Sequence, residues 1–233
     1  MRSRVLEPEL MDDPGLDQDQ HYQALSGLQR LNRWTKLTDL IWRPIEQFAR
    51  ENNATPLRIL DIATGSADVP IQLAQRAKQR GMNLEIEASD ISPQALQFAE
   101  DACQKHNASV KLHALDVLSE PIPDGYDIVM CSTFLHHLTT EQAEIVLAKM
   151  VAAAKQQVIL VDLIRSHFNW LQVWIATRLL SRSPVVHFDG PQSIRAAFTI
   201  SEIESIAASA QLSNYRLTRH WPCRFMLVGN CHD

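Results

Sequence analysis

From residue 57 onward the chain alternates between two hydrophobic rhythms. Short runs rich in apolar positions, "RILDIA", "VKLHALD", "YDIVMCS" and "QQVILVDL", and the alternating "LEIEASD", read as strands. Between them lie stretches with apolar residues at three- and four-residue spacing: Asp68 to Arg80, a segment opening at Ser92-Pro93, and Thr140 to Ala154. Gly81 supplies a C-terminal stop, and Ser92 followed by Pro93 supplies an N-cap and a first-turn proline. Such alternation predicts parallel strands joined by right-handed crossovers, with helices on both faces. The end of the chain changes rhythm. "FTISEIESIAASA" reads as a helix opened by a capping box, Thr199 with Glu202, and Phe198 can staple onto Ile203. "YRLTRHW" and "RFMLVGN" then flank the short turn "PC" as an antiparallel hairpin. The fold class expected is α/β: a Rossmann-like, seven-stranded, mostly parallel sheet with an antiparallel strand in its C-terminal hairpin.

Before residue 57 the pattern is different. Residues 1–19 are acidic and irregular and read as an extended arm. From His21 to Ala49 leucines recur at helical intervals, and Pro44 predicts that one helix stops near Trp42 and another begins. "ENNATP" is a polar break. The expected organisation is an N-terminal arm and helical cap, 1–53, belonging to the same domain as 54–233, with an insertion at about 163–198 before the last helix.

Composition narrows the classes of function. The chain has 233 residues, 45% hydrophobic and 21% charged, which fits one large globular α/β domain. Its net charge is −5 and no run of Lys or Arg occurs, so a nucleic-acid groove is not expected. The longest apolar stretch, "FNWLQVWIATRLL", is interrupted by Gln172 and Arg178 and is too short for a bilayer span. The N-terminus lacks the apolar core of a signal peptide. Four cysteines without CxxC spacing suggest reduced thiols, neither a zinc site nor a disulfide framework. A cytoplasmic protein without integral membrane association is expected; nothing in the sequence sets its oligomeric state.

Candidate chemistry collects after the strands. Ligands of open α/β sheets sit beyond the carboxyl ends of the strands. Asp61, Asp90 and Asp116 fall there after the first three. The first loop, "ATGSAD", has a single glycine, Gly65, and places Asp68 and Pro70 in the first helical turn. A pyrophosphate requires glycines and a welcoming helix N-terminus, so the loop suits a cationic cofactor without phosphate, such as S-adenosylmethionine.

"LDIATGSAD" resembles the first motif of class I S-adenosylmethionine-dependent methyltransferases, closest to the ubiquinone/menaquinone-biosynthesis-like branch. Ala63 and Ala67 stand where many members have glycine. The resemblance implies that Asp61 orients the methionine end of the cofactor. The loop Ala63, Thr64, Gly65, Ser66 and Asp68 approaches its tail. Asp90 accepts the ribose hydroxyls, Ile91 packs on the adenine, and Asp116 with the Val117 amide meets the adenine edge. Ser132 and Thr133 place a carbonyl near the methionine ammonium. The product would be S-adenosylhomocysteine, and the partner a small-molecule acceptor.

For the acceptor, two histidine groups are candidates. His136 and His137 in "FLHHL" follow the fourth strand, where a general base for a hydroxyl acceptor should sit. No metal site is expected, because adjacent histidines on one turn should point apart and no third ligand is evident. His187 and Asp189 in "VVHFDG" would face the same way on an extended segment and form a His–carboxylate base, unless they belong to an ordinary surface turn. Arg195 either pairs with Asp189 or meets an acidic acceptor. Trp170 and Trp174 share a helical face that either packs in the core or forms a lid, with Tyr22 and Trp34 contributing. An apolar phenolic, quinone-like or polyketide-derived acceptor methylated on oxygen or carbon is expected. The competing readings are an NAD(P)-dependent oxidoreductase and a non-catalytic S-adenosylmethionine-binding protein.

Overall fold

The computed structural model describes residues 1, 3–13, 15–52 and 56–231. Seven strands form one sheet: β1 Leu57–Ile62, β2 Leu84–Asp90, β3 Val110–Ala114, β4 Tyr126–Ser132, β5 Ala154–Leu163, β6 Tyr215–His220 and β7 Arg224–Asn230. Their order is β3-β2-β1-β4-β5-β7-β6. The first five are parallel, and β7 runs antiparallel to both β5 and β6. The order reverses between β1 and β4, the position at which doubly wound sheets open a crevice.

Alternation along the strands builds two cores. Ile59, Ile128 and Ile159 point to one face, against Leu40, Ile41 and Ile45 of helix α2 (Leu37–Asn52) and Leu73 of α3 (Asp68–Arg80). Leu60, Val129 and Leu160 point to the other. There they meet Val146 and Leu147 of α5 (Thr140–Ala153) and Ile203 and Ile206 of α8 (Ile200–Ser209). Between α3 and α5, helix α4 (Pro93–His106) joins β2 to β3. Both faces of β1 are covered, which explains why it reads as a nearly continuous apolar run.

The terminal signals act as the sequence suggests. Gly81 closes α3 with φ +66, and Ser92 Oγ accepts the Ala95 amide at 3.3 Å before α4. The Thr199–Glu202 capping box opens α8, and Phe198 and Ile203 lie in one buried cluster.

Two expectations fail. The break in the N-terminal helices lies at Thr35–Lys36, where Lys36 takes φ +54, between α1 (Gln18–Trp34) and α2. Pro44 sits inside α2. A mid-helix proline forfeits one backbone bond and costs about 3 kcal/mol. Burial of Leu40, Ile41, Trp42 and Ile45 around it offsets that loss. The polar break at 51–56 falls partly on 53–55, outside the described residues, as does the expected boundary at 53/54.

The second failure is "VVHFDG", which is helical. Ser183 caps and Pro184 opens α7 (Pro184–Ala196), which packs on α6 (His167–Leu180). Gly190 permits the contact: a Cβ there would lie 2.5 Å from Thr177 Cγ2. The N-terminal arm lies over this pair, with one 3-10 turn at Leu10–Asp12 and the Val5 amide donating to the Arg195 carbonyl at 3.1 Å.

Candidate functional site

Three carboxylates gather at the switch point. Asp61, ending β1, is fully buried; its Oδ2 accepts the Thr64 hydroxyl at 2.7 Å, and its Oδ1 has no protein partner. Burial, with the charges of Asp68 and Asp90, pushes Asp61 up to about 7 against the pull of Thr64. Burial raises Asp68 too, against hydrogen bonds from Asn32 and Ser66. Asp90 is raised by burial although the Gly65 and Ser92 amides donate to it at 2.7 and 2.9 Å. A cleft with three carboxylates, one buried and two half-buried, favours a positively charged ligand.

The loop between β1 and α3 is shaped for close approach. Ala63, Gly65 and Ala67 all take left-handed φ, at 52°, 55° and 52°. For the alanines that conformation costs of order 1 kcal/mol or more each. The space where a Gly65 Cβ would stand is open, with nothing within 4 Å. Thr133, across the crevice, is also left-handed at φ +55, and follows Ser132 at the end of β4. Beyond Asp90, Ile91 leaves 65% of its surface exposed. Asp116 serves a local turn, accepting the Leu118 amide at 3.0 Å and the Ser119 hydroxyl at 2.7 Å, with Val117 buried beside it.

Two residues that sequence reasoning missed fasten the cap to this loop. Asn32 of α1 donates to Asp68 at 3.3 Å and accepts from Arg224 of β7 at 3.0 Å. Both also line a cavity of 410 Å³ that adjoins the crevice at Thr133. Its walls are mostly apolar: Leu28, Leu31 and Trp34 from α1, Ile175 and Leu179 from α6, and Trp221 from the β6–β7 turn. Trp34 and Trp221 meet at a tilt of 54°, with ring centroids 5.5 Å apart. Larger grooves of 710 and 620 Å³ lie away from the three carboxylates.

The other proposed aromatic contacts are not in that wall. Tyr22 meets Phe98 of α4 edge-on at 5.0 Å. Trp170 packs beside Leu163 and Ile194, and Trp174 carries the Arg178 guanidinium 4.1 Å above its ring. Arg195 binds Gln192 at 3.1 Å and does not reach Asp189. His187 and Asp189 are not a pair either. On a helix, i and i+2 diverge. The His187 Nε2 contacts the Ser181 carbonyl at 2.8 Å, while Asp189 accepts the Leu10 and Met11 amides at 2.8 and 3.1 Å.

His136 and His137, in contrast, face the cavity together with Glu9 of the arm. His136 is buried, and its Nδ1 lies 2.7 Å from Asp162 Oδ1 at the end of β5. Burial alone would raise Asp162; His136 and nearby amides hold it below its ordinary value instead. His137 Nδ1 lies 3.0 Å from Asp12 Oδ2. Burial would lower His137, but Asp12 and Glu9 push it up to about 9. The two rings do not diverge: their centroids are 4.3 Å apart. Asp162 occupies the same strand-end position as Asp61 and Asp90, so the rule that found those acids also reaches it. Glu9 lies in an aperiodic acidic arm and carried no signal.

Residues 59–157 match a family model described as a methyltransferase domain. This segment is similar to a methyltransferase domain. Over 79 residues the chain is 38% identical to the demethylmenaquinone methyltransferase of Deinococcus radiodurans, covering 34% of this chain and 31% of that protein. It is 37% identical over 86 residues to the release factor glutamine methyltransferase of Lactococcus lactis, covering 37% and 30%. The chain thus spans about a third of the length of these curated relatives. Among solved structures, magnesium protoporphyrin IX methyltransferase from Synechocystis, with bound SAH, superposes with TM-score 0.59 at 18% identity, covering 94% of this chain and 90% of that one. A putative O-methyltransferase from Nostoc punctiforme gives TM-score 0.60 at 22% identity, covering 84% and 56%. These likenesses establish the fold. The matched segment contributes the carboxylate crevice and the His136–His137 turn, whereas α1, α6, α7 and the β6–β7 turn, which wall the cavity, lie outside it.

Proposed function

We propose that this chain transfers the methyl group of S-adenosyl-L-methionine to a small, apolar, ring-bearing acceptor, releasing S-adenosyl-L-homocysteine. The observation that carries the reading is the crevice of Asp61, buried, and Asp68 and Asp90, half-buried, all raised in pKa, with Asp61 Oδ1 left without a partner. A sulfonium and an ammonium on one ligand relieve all three. Asp61 takes the ammonium, with the Thr133 backbone opposite. The loop from Ala63 to Gly65, with Ser66 and Asp68 behind it, lies along the amino-acid tail. Asp90 has a lone pair on each oxygen for the ribose hydroxyls, Ile91 covers one adenine face, and the Asp116–Val117 turn meets the adenine edge.

The arm and helical cap close the acceptor side together with the insertion between β5 and α8. Trp34 and Trp221 form the ring-binding wall. Aromatic or alkyl-bearing acceptors of phenolic, quinone-like or polyketide-derived type fit such a cavity. Oxygen is the favoured atom, because the polar groups of the cavity gather where a hydroxyl would enter. A phenol with a pKa of about 10 costs about 4 kcal/mol to ionise at pH 7. His137, kept protonated by Asp12 and Glu9, lowers that cost by pairing with the developing phenolate, and His136 takes the proton. The oxygen–carbon bond forms as the sulfur–carbon bond breaks, leaving a neutral thioether. We place the reaction in the cytoplasm, where all four cysteines stay reduced; none is paired.

Calorimetry with S-adenosylhomocysteine and with NAD tests the cofactor. A nicotinamide enzyme would bind only NAD, but Asp68 at the start of α3 opposes a pyrophosphate. Methyl transfer to a panel of phenols and quinols tests the activity; cofactor binding without turnover on any of them would leave a non-catalytic binding protein.

A further inference from the structure

The cluster of Glu9, His136 and His137 goes beyond a base. We propose that these three side chains hold a first-row divalent cation at the base of the acceptor cavity, where the ion binds the acceptor oxygen. This rests on the acceptor site proposed above and changes the agent within it, from a free imidazole to a metal ion. The expectation from sequence that the paired histidines serve no metal rested on diverging rings and a missing third ligand; neither holds.

Four observations carry the proposal. The first is distance. One ligand atom from each of the three residues lies within 4.8 Å of the others. Glu9 Oε1 is 3.7 Å from His136 Nε2, and Glu9 Oε2 is 3.9 Å from His137 Nε2. In a tetrahedral site with bonds of about 2.0–2.1 Å, ligand atoms stand roughly 3.4 Å apart, so small side-chain movements close the set.

The second is orientation. Each imidazole gives its Nδ1 to a carboxylate, His136 to Asp162 at 2.7 Å and His137 to Asp12 at 3.0 Å. That fixes both Nε2 lone pairs toward Glu9. Metal-ligating histidines are held this way, with the second ring nitrogen donating to a carboxylate. Glu9 is itself oriented by the Ser193 hydroxyl at 2.5 Å.

The third is charge. Glu9, Asp12 and Asp162 surround the two rings, and Asp189 lies behind them. Arg4 spends its hydrogen bonds on the carbonyls of His136 and Ala196. Four carboxylates face one guanidinium, an arrangement that accepts an added cation. The fourth is access. All three ligands line the apolar cavity, so a fourth coordination position opens toward an acceptor, as in catalytic metal sites and unlike closed structural ones. Two imidazoles and one carboxylate suit zinc, iron(II), cobalt or nickel over magnesium or calcium.

A bound cation lowers the pKa of a coordinated hydroxyl by several units. The acceptor hydroxyl then loses its proton to water and its oxygen stays on the ion until the carbon–oxygen bond forms. The charge on the ion is unchanged throughout.

The test uses the untagged full chain stripped with a chelator. Cobalt(II) is titrated with visible d–d absorption as the signal, and zinc is titrated against a chromophoric chelator. One equivalent should bind. Glu9→Gln and His137→Ala should each weaken binding at least tenfold, and Asp12→Asn by about ten- to a hundredfold. Calorimetry with S-adenosylhomocysteine on the same proteins reports folding and should stay within twofold. No binding of either metal at 100-fold excess, or binding that survives both ligand substitutions, overturns the proposal. If the metal is absent while S-adenosylhomocysteine binds, only the metal falls; if the metal binds with these dependences and S-adenosylhomocysteine does not, the metal stands and the cofactor reading falls.

Discussion

Cofactor affinity should titrate with Asp61. In the free protein this carboxylate is pushed up to about 7 by burial and by Asp68 and Asp90. A cationic ligand binds its ionised form and returns the pKa toward the ordinary value, so binding releases a proton below pH 7. With a free-state value near 7, the fraction of Asp61 ready to bind falls from about nine-tenths at pH 8 to about one-tenth at pH 6. Affinity for S-adenosylhomocysteine should therefore drop about tenfold over that range, or about 1.4 kcal/mol. Isothermal calorimetry at pH 6 in two buffers of different ionisation enthalpy should show close to one proton released. Asp61→Asn should bind much more weakly and with no slope between pH 6 and 8. The same shift has a stability consequence of opposite use. Because the folded value is raised above the unfolded one, the contribution of protonated Asp61 is complete below about pH 4 and is lost as pH rises through 7. Three units correspond to about 4 kcal/mol, so the ligand-free Asp61→Asn variant should melt several degrees above wild type at pH 8 and converge with it at low pH. A wild-type affinity that is level from pH 6 to 8 would refute the reasoning, as would a slope that persists in Asp61→Asn.

Once an acceptor is identified, His136→Ala should lower kcat by about a hundredfold or more, while S-adenosylhomocysteine binding stays near wild type; an equal loss of both would mean that the residue serves folding alone. Trp34→Ala removes half of the tilted tryptophan pair at the cavity wall and should raise the acceptor KM with little change in kcat, which steady-state kinetics will show or contradict. Gly190→Ala should destabilise by about 1–3 kcal/mol, because the new methyl meets Thr177 at 2.5 Å. Thermal melts that match wild type would mean that α6 and α7 can separate without cost.

The fold was legible where one physical rule decides each element. Buried parallel strands need apolar runs, so β1, β4 and β5 show them while β2 and the edge strand β3 mix apolar and polar positions, and the caps at Ser92 and Thr199 are local chemistry that tertiary contacts do not disturb. Pro44 misled because its local penalty is smaller than the burial gained by Leu40, Ile41 and Ile45 around it. "VVHFDG" misled because Asp-Gly is turn chemistry in isolation; only the close approach of α6 to Gly190 gives the glycine another purpose. The crevice acids follow from strand-end position, a topological fact that a pattern of runs contains. The cavity does not. Its polar corner joins Glu9 to His136 and Asp162, residues 127 and 26 positions apart along the chain, through an arm without periodicity, and no spacing encodes such a meeting. What the sequence does contain is an imbalance: of the acids at 9, 12 and 162 only Asp162 has a basic residue within four positions, Arg165, and that arginine pairs with Glu202. In the fold those acids converge on two imidazoles instead of dispersing into solvent. At that corner the chain balances part of the surplus itself, through His137, which Asp12 and Glu9 push up to about 9, and through Arg4. The crevice at Asp61 turns its own surplus toward a cationic cofactor, and the corner at His136 and His137 turns what is left toward a metal ion.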